Sequence, residues 1–246
     1  VPVRAATAFV VLQMNLCNSG MSLGACYSFG RAVDEAVGKI RQHRPDLVTL
    51  QEVCRDDLYG RRGWGRLARA MADLYGSEHI SVSFVPAGDG VTGDSYRCVN
   101  GEPFGIAVMH RYAALDVHSS AYGSQDRSGE LRVWMCTTVL QGRLTGCTTH
   151  LSTRPDVAMR QCLEVMSILT SSPWVMPEVI AAGDFNLTQE PGRPQNVRDC
   201  APADYDLSGD GSVQHAFFTG GVPLLGGGHE RMRWTDHPLL HQTFWV

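Results

Sequence analysis

A set of polar residues stands where apolar runs of this sequence stop. Asn15 follows VLQM, Glu52 follows VTLQ, His150 follows CTT, Asp184 and Asn186 follow or lie just beyond IAAG, and Asp236 and His237 sit in RWTDHPLL. Taken singly, each has an ordinary structural use: Asn and Asp bond locally in turns, Glu caps or pairs with a cation, and a lone histidine is commonly a satisfied part of a core. Taken together they ask for another account, because neighbouring strands of one sheet would carry them to a common edge. Asn15, Glu52 and Asp236 offer hard oxygen donors, which suit Mg2+ or Mn2+, with Ca2+ a further candidate, and do not suit zinc. An ion held by few protein ligands keeps waters and takes substrate phosphate. His150 and His237 beside it would supply proton transfer and hydrogen bonds to charged oxygen. The combination predicts metal-assisted phosphoester hydrolysis.

The elements that must hold these residues are legible in the periodicity. AFVVLQMN reads as a mostly buried strand ending at Asn15, and DLVTLQEV as a second. Between them Ala32, Val33, Ala36, Val37 and Ile40 form one helical stripe that Pro45 closes. Trp64, Leu67, Ala68, Met71, Leu74 and Tyr75 form another. Strand patterns follow over 80–85, 104–110 and 131–151, the last broken by a turn at Gln141 and Gly142. Pro155 then opens a helix carrying Met159, Cys162, Leu163, Met166 and Leu169. EVIAAGD, VQHAFFT and LLHQTFWV return to strand. The glycine-rich pieces AGDGVTGDS and GGVPLLGGGHE read as surface loops rimming a cleft. Helices alternating with strands early, then strands alone, predict an α/β sandwich. Without an internal linker or repeat, the 246 residues are expected to form a single domain.

Eight cysteines without a CxxC pair point to structural disulfides and so to an exported protein. RVWMCTTVLQGRLTGCTTHL, read as a hairpin, sets Cys136 opposite Cys147. Cys17 with Cys26 would close a local loop, and Cys54 with Cys98 and Cys162 with Cys200 remain by elimination. The chain opens on Val1 rather than Met, as a processed mature protein or a trimmed chain would, so its start is no proof of secretion, and no apolar run of about eighteen residues predicts membrane insertion. With a formal charge of −4, the molecule as a whole is no electrostatic glove for nucleic acid. A monomer is expected.

The ordered set MN at Asn15, LQEV at Glu52, FGIAVMHR ending at Arg111, TTHLS at His150, AAGDFN at Asp184 and Asn186, and TDHPLL at Asp236 and His237 resembles the endonuclease/exonuclease/phosphatase superfamily, in particular secreted bacterial relatives of deoxyribonuclease I. The resemblance implies a four-layered fold, two packed mixed β-sheets flanked by helices. It implies Glu52 as principal metal ligand with Asn15 and Asp236, Asp184 and Asn186 handling the attacking water and the phosphate, and His150 and His237 flanking the scissile group. Arg127 would grip a phosphate oxygen, and Glu102 would orient His150.

One departure from the superfamily pattern concerns the second histidine. An Asp usually stands in the strand before the final Asp-His; here Gln214, in SVQHAFFTG, takes its place. A neutral amide can fix an imidazole tautomer but cannot stabilise an imidazolium. Either His237 acts mainly as a hydrogen-bond donor, or Asp206 or Asp210 substitutes. Within the superfamily, an extracellular nuclease acting on phosphodiester bonds of nucleic acid comes first. Hydrolysis of a phospholipid, as in sphingomyelinases, or of a small phosphate ester comes second, and an inactive binding protein third.

Overall fold

Two parallel strand pairs at the centre of two sheets explain why the site residues meet. The computed structural model describes residues 7–21, 27–190, 192 and 195–246. One six-stranded sheet runs Leu224–Glu230, Leu239–Trp245, Ala8–Asn15, Leu47–Cys54, Phe104–His110 and Ser81–Pro86. The other runs Tyr205–Gly209, Gln214–Thr219, Glu178–Asp184, Leu144–His150, Val133–Val139 and Val117–Ala121. Ala8–Asn15 pairs in parallel with Leu47–Cys54, and Leu144–His150 with Glu178–Asp184; the other pairings within these two sheets are antiparallel. Parallel neighbours finish at the same edge, so Asn15 and Glu52 end together, and His150 is the register partner of Asp184.

Side-chain alternation builds the layers. Phe9 and Val11 join Leu47, Ile106, Val108, Met135, Ile180, Ala182, Phe218 and Phe244 between the sheets. Leu12 and Met14, on the opposite face of the same strand, pack with Val48 and Leu50 against Ala32, Val33, Ala36 and Ile40 of the helix Arg31–His43 and Leu67, Ala68 and Met71 of the helix Arg66–Tyr75. The helix Pro155–Ser171 covers the other sheet through Ala158, Val165, Met166 and Leu169. Leu163, expected on that stripe, lies instead on its solvent side. Each fully buried side chain of this size contributes about 1.5–3 kcal/mol of transfer free energy. The expected four-layered α/β sandwich is the observed fold.

Cys136 and Cys147 face one another across their hairpin and are bridged, as are Cys54 with Cys98 and Cys162 with Cys200. The expected partner of Cys17, Cys26, lies outside the described residues. The piece GGVPLLGGGHE is a loop only in part: Leu224–Glu230 is the edge strand of the first sheet. Its glycines erase the apolar alternation by which strands are recognised.

Candidate active site

Alternation along Leu47–Cys54 would send Glu52 after Val48 and Leu50 onto the helix-covered face. A bulge between Leu50 and Val53 prevents this. With Glu52 in the left-handed region at φ 56°, Val53 takes the helix-facing place and Glu52 turns into a cleft at the sheet edge. Such a backbone costs on the order of 1–3 kcal/mol, a strain typical of functional positions. Asn186 is also left-handed, at φ 49°, and its N–H donates to Asp184 Oδ1 at 3.0 Å while its Nδ2 donates to the Leu151 carbonyl at 2.8 Å. Gly183 precedes Asp184 because a Cβ there would meet the Thr149 carbonyl oxygen at 2.4 Å.

The cleft encloses about 460 Å³ and is lined by Glu52, Glu130, Arg132, His150, Asp184, Asn186, Asp236 and His237, among others. Asn15 clamps two of its carboxylates: Nδ2 donates to Glu52 Oε1 at 3.0 Å and to Asp184 Oδ2 at 2.9 Å, while Oδ1 accepts the Cys17 N–H. Burial, above all, raises the Glu52 carboxyl to about 7, and the charges of Glu130 and Asp184 add to the rise against the Asn15 hydrogen bond.

Both histidines are held from behind by donors. Arg132 Nη1 lies 2.8 Å from His150 Nδ1 and 3.2 Å from Glu130 Oε1. Arginine only donates, so His150 Nδ1 accepts and the ring proton of the neutral form sits on Nε2, 3.8 Å from Glu52 Oε1. Burial, then the Arg132 charge, holds His150 well below the usual imidazole range. Gln214 Nε2 lies 3.2 Å from His237 Nδ1. The Gln214 oxygen accepts from Gln13 Nε2 at 2.7 Å, so its NH2 group is the one that faces the histidine. Gln13 is paired reciprocally with Gln51, which donates to Thr148 Oγ1 at 2.8 Å. This chain of buried amides crosses between the sheets and leaves the His237 proton on Nε2, 3.6 Å from Asp184 Oδ2 and 3.5 Å from Asp236 Oδ1.

Asn15, Glu52, His150, Asp184, Asn186, Asp236, His237 and Gln214 are thus brought together, and two expected neighbours are not. Arg127 is exposed and outside the cleft lining; Arg132 is the arginine at the site. Glu102 lies in a turn whose backbone bonds to Cys98, away from His150, and the carboxylate near His150 Nδ1 is Glu130, at 4.0 Å. Both corrections share a cause. Arg132 and Glu130 reach the cleft because Leu131 pairs with the distant Gly88, a long-range contact that local patterning does not encode. Neither Asp206 nor Asp210 reaches His237: Asp206 is exposed, and Asp210 accepts the N–H groups of Ser212 and Gln214.

The donor chemistry fits a hard divalent cation. Cys54, nearest in sequence to Glu52, is locked in a disulfide, and both imidazoles present N–H rather than a lone pair to the cleft. Carboxylate oxygens of Glu52, Asp184 and Asp236 remain, the donor type of Mg2+, Mn2+ or Ca2+. A cation would also offset the burial and the smaller carboxylate repulsion that together raise Glu52.

Residues 27–241 match the model of the Endonuclease/Exonuclease/phosphatase family. The chain belongs to this family, and with it to the phosphoesterases, whose members generally act with divalent metals. Its fold is that of ANGEL2, a 2′,3′-cyclic phosphatase (TM-score 0.66, 14% identity, covering 98% of this chain and 95% of that one). It is likewise similar to the human Nocturnin catalytic domain with bound sulfate (0.66, 14%, 97% and 95%) and to D. rerio TDP2 complexed with single-strand DNA product (0.65, 14%, 97% and 99%). At such identities the likeness concerns the fold. No curated protein sequence matches the chain.

Proposed function

We propose that the protein is a Mg2+-dependent phosphodiesterase acting on nucleic acid outside the cell. The observation that carries this reading is the buried Glu52 carboxylate, turned into the cleft by a strained bulge and set among Glu130, Asp184 and Asp236. Glu52 and Asp236 would hold the ion. Asn15 would join them through its Oδ1, which accepts the Cys17 N–H and keeps a second lone pair, while its Nδ2 grips Glu52 and Asp184. Held there, a divalent ion would supply polarisation of the phosphoryl group and offset developing charge.

The chain's own residues supply the rest. Asp184, fixed by Asn15 and by the Asn186 N–H, orients the attacking water and accepts its proton. Asn186 holds the same water or a phosphate oxygen. His150 and His237 donate from Nε2 to the non-bridging and leaving oxygens, and Arg132 contributes charge behind His150. With its Nδ1 occupied by an amide donor, His237 is a hydrogen-bond donor and not a base. The three described disulfides support an extracellular location, and the whole chain is read as one domain acting as a monomer.

A lipid-ester reading has its own support in Met21 and Phe29, exposed beside the cleft. One panel separates the two: plasmid DNA, RNA, sphingomyelin and a simple phosphomonoester, each with Mg2+ and with chelator. Chelator-sensitive cleavage of DNA or RNA is expected; turnover confined to sphingomyelin or the monoester rejects the nuclease reading, and no turnover of any substrate rejects the enzyme.

A further inference from the structure

Beside the cleft, and sharing Asp236 with it, lies a groove of about 340 Å³ lined by Tyr27, Phe29, Arg31, Arg233 and Trp234. The guanidinium carbons of Arg31 and Arg233 each stand 4.7 Å from the centroid of the Trp234 ring. Neither guanidinium forms an ion pair with a carboxylate among the described residues. Of the acids here, Asp236 also lines the groove, and Glu35 is engaged by the backbone N–H groups of Arg233 and Trp234, which fixes the segment on the helix Arg31–His43. In a molecule of net charge −4, two uncompensated arginines beside a phosphoesterase cleft mark a local site for an anion. Stacked guanidinium groups keep their in-plane N–H donors free for phosphate oxygens.

Phe29 adds a second, independent feature. It is 84% exposed and left-handed at φ 55°, two unfavourable circumstances for a bulky aromatic. Its ring lies 4.9 Å from that of Tyr27, so the pair forms a small aromatic platform at the groove wall. Strain combined with exposure is the signature of a residue kept for what it contacts. Cationic donors interleaved with aromatic faces recognise unpaired bases joined by phosphates, because any base offers a π-face and each linkage a charge.

We propose that this groove binds the nucleotide next to the scissile linkage of a single-stranded nucleic acid, with the base on Phe29 and Tyr27 and the flanking phosphate on Arg31 and Arg233. The assignment rests on the phosphodiesterase reading above and narrows it. A lipid surface would use the same aromatics, but a zwitterionic headgroup layer gives two free arginines much less to bind than a polyanion does.

The test is fluorescence anisotropy of a labelled short oligodeoxythymidine with the full chain in chelator, so that binding is read apart from cleavage. Phe29→Ala and the double variant Arg31→Ala/Arg233→Ala are each expected to weaken binding about tenfold, within the range of one lost stacking contact. The arginine variant should also flatten the dependence on salt. Thermal unfolding of each variant verifies that the fold persists, and Phe29→Trp, which keeps a π-face, should restore affinity. Parental affinity in both variants, or no binding by the parent chain, overturns the proposal. So does Phe29-dependent binding to sphingomyelin and phosphatidylcholine vesicles without binding to the oligonucleotide. If the parent binds the oligonucleotide as described but hydrolyses no phosphodiester with Mg2+, the subsite stands and the proposed catalytic function fails.

Discussion

Gln214 Nε2 faces His237 Nδ1 at 3.2 Å, with the far end of the amide held by Gln13. A carboxylate at this position would accept the Nδ1 proton and leave Nε2 a base; the amide does the reverse and makes Nε2–H a donor. Gln214→Glu should therefore invert the tautomer as well as bury a charge next to Gln13. Turnover of a phosphodiester should fall on the order of a hundredfold, the cost of losing one donor aimed at developing charge. Its pH profile should gain a histidine-like limb. An unaltered profile would mean that the tautomer of His237 does not matter to the reaction.

Arg132 plays the corresponding part behind His150. Its Nη1 donates to Nδ1, and its charge adds to burial in keeping the ring neutral. Arg132→Met removes donor and charge while keeping much of the side-chain volume, so His150 can exchange its proton between the two nitrogens. Activity should drop by roughly 10²-fold, the effect of one misdirected electrostatic group, and the NMR tautomer signature of His150 should shift from Nε2–H toward a mixture. A His150 signature identical in the variant and the parent chain would show that another group holds the ring.

The contrast between Glu102 and Glu130 shows where the sequence stops being informative. Asn15, Glu52, His150 and Asp184 end strands with strong apolar patterns, and parallel pairing then brings those ends together. Asp236 and His237 follow the same logic through the strand Leu239–Trp245, which pairs beside Ala8–Asn15. Glu130 and Arg132 have no such marker. They reach the cleft through the short Gly88–Leu131 pairing, which depends on residues far apart in the chain. The strand Val117–Ala121 was equally hidden: as a largely exposed edge it needs no apolar face. The bulge at Glu52 is hidden in another way, since alternation alone sends that side chain to the wrong face.

Glu52 links function to stability in opposite directions. Buried with its carboxyl raised to about 7 and close to Asp184 and Glu130, it is costly to hold as an anion when no cation is bound. Glu52→Gln keeps the shape and the Asn15 contact while removing the charge. In chelator at pH 8 the variant should be more stable than the parent chain by on the order of 1–3 kcal/mol, read as a higher denaturation midpoint. Its Mg2+ binding by calorimetry and its Mg2+-dependent turnover should both be lost. A variant that is less stable in chelator would show that the carboxylate is already well compensated by its neighbours.

His110 should contribute to the acid sensitivity of the fold beside the other buried histidines, His150 and His215. It ends the strand Phe104–His110 and is almost wholly buried, and this burial, against a backbone hydrogen bond with Tyr112, depresses its pKa to about 4. The unfolded chain binds a proton near the ordinary value of 6.5, whereas the folded chain resists until about 4. Above the higher value the ring is neutral in both states and has no effect; as pH falls between the two, only the unfolded state gains the proton and stability is lost. The span corresponds to about 3 kcal/mol at full extent. His110→Met, which fills similar space without a titrating group, should leave stability at pH 8 within about 1 kcal/mol and flatten its decline between pH 6.5 and 4. Denaturant midpoints across that window measure it directly, and a decline in the variant as steep as in the parent would assign acid sensitivity to other groups.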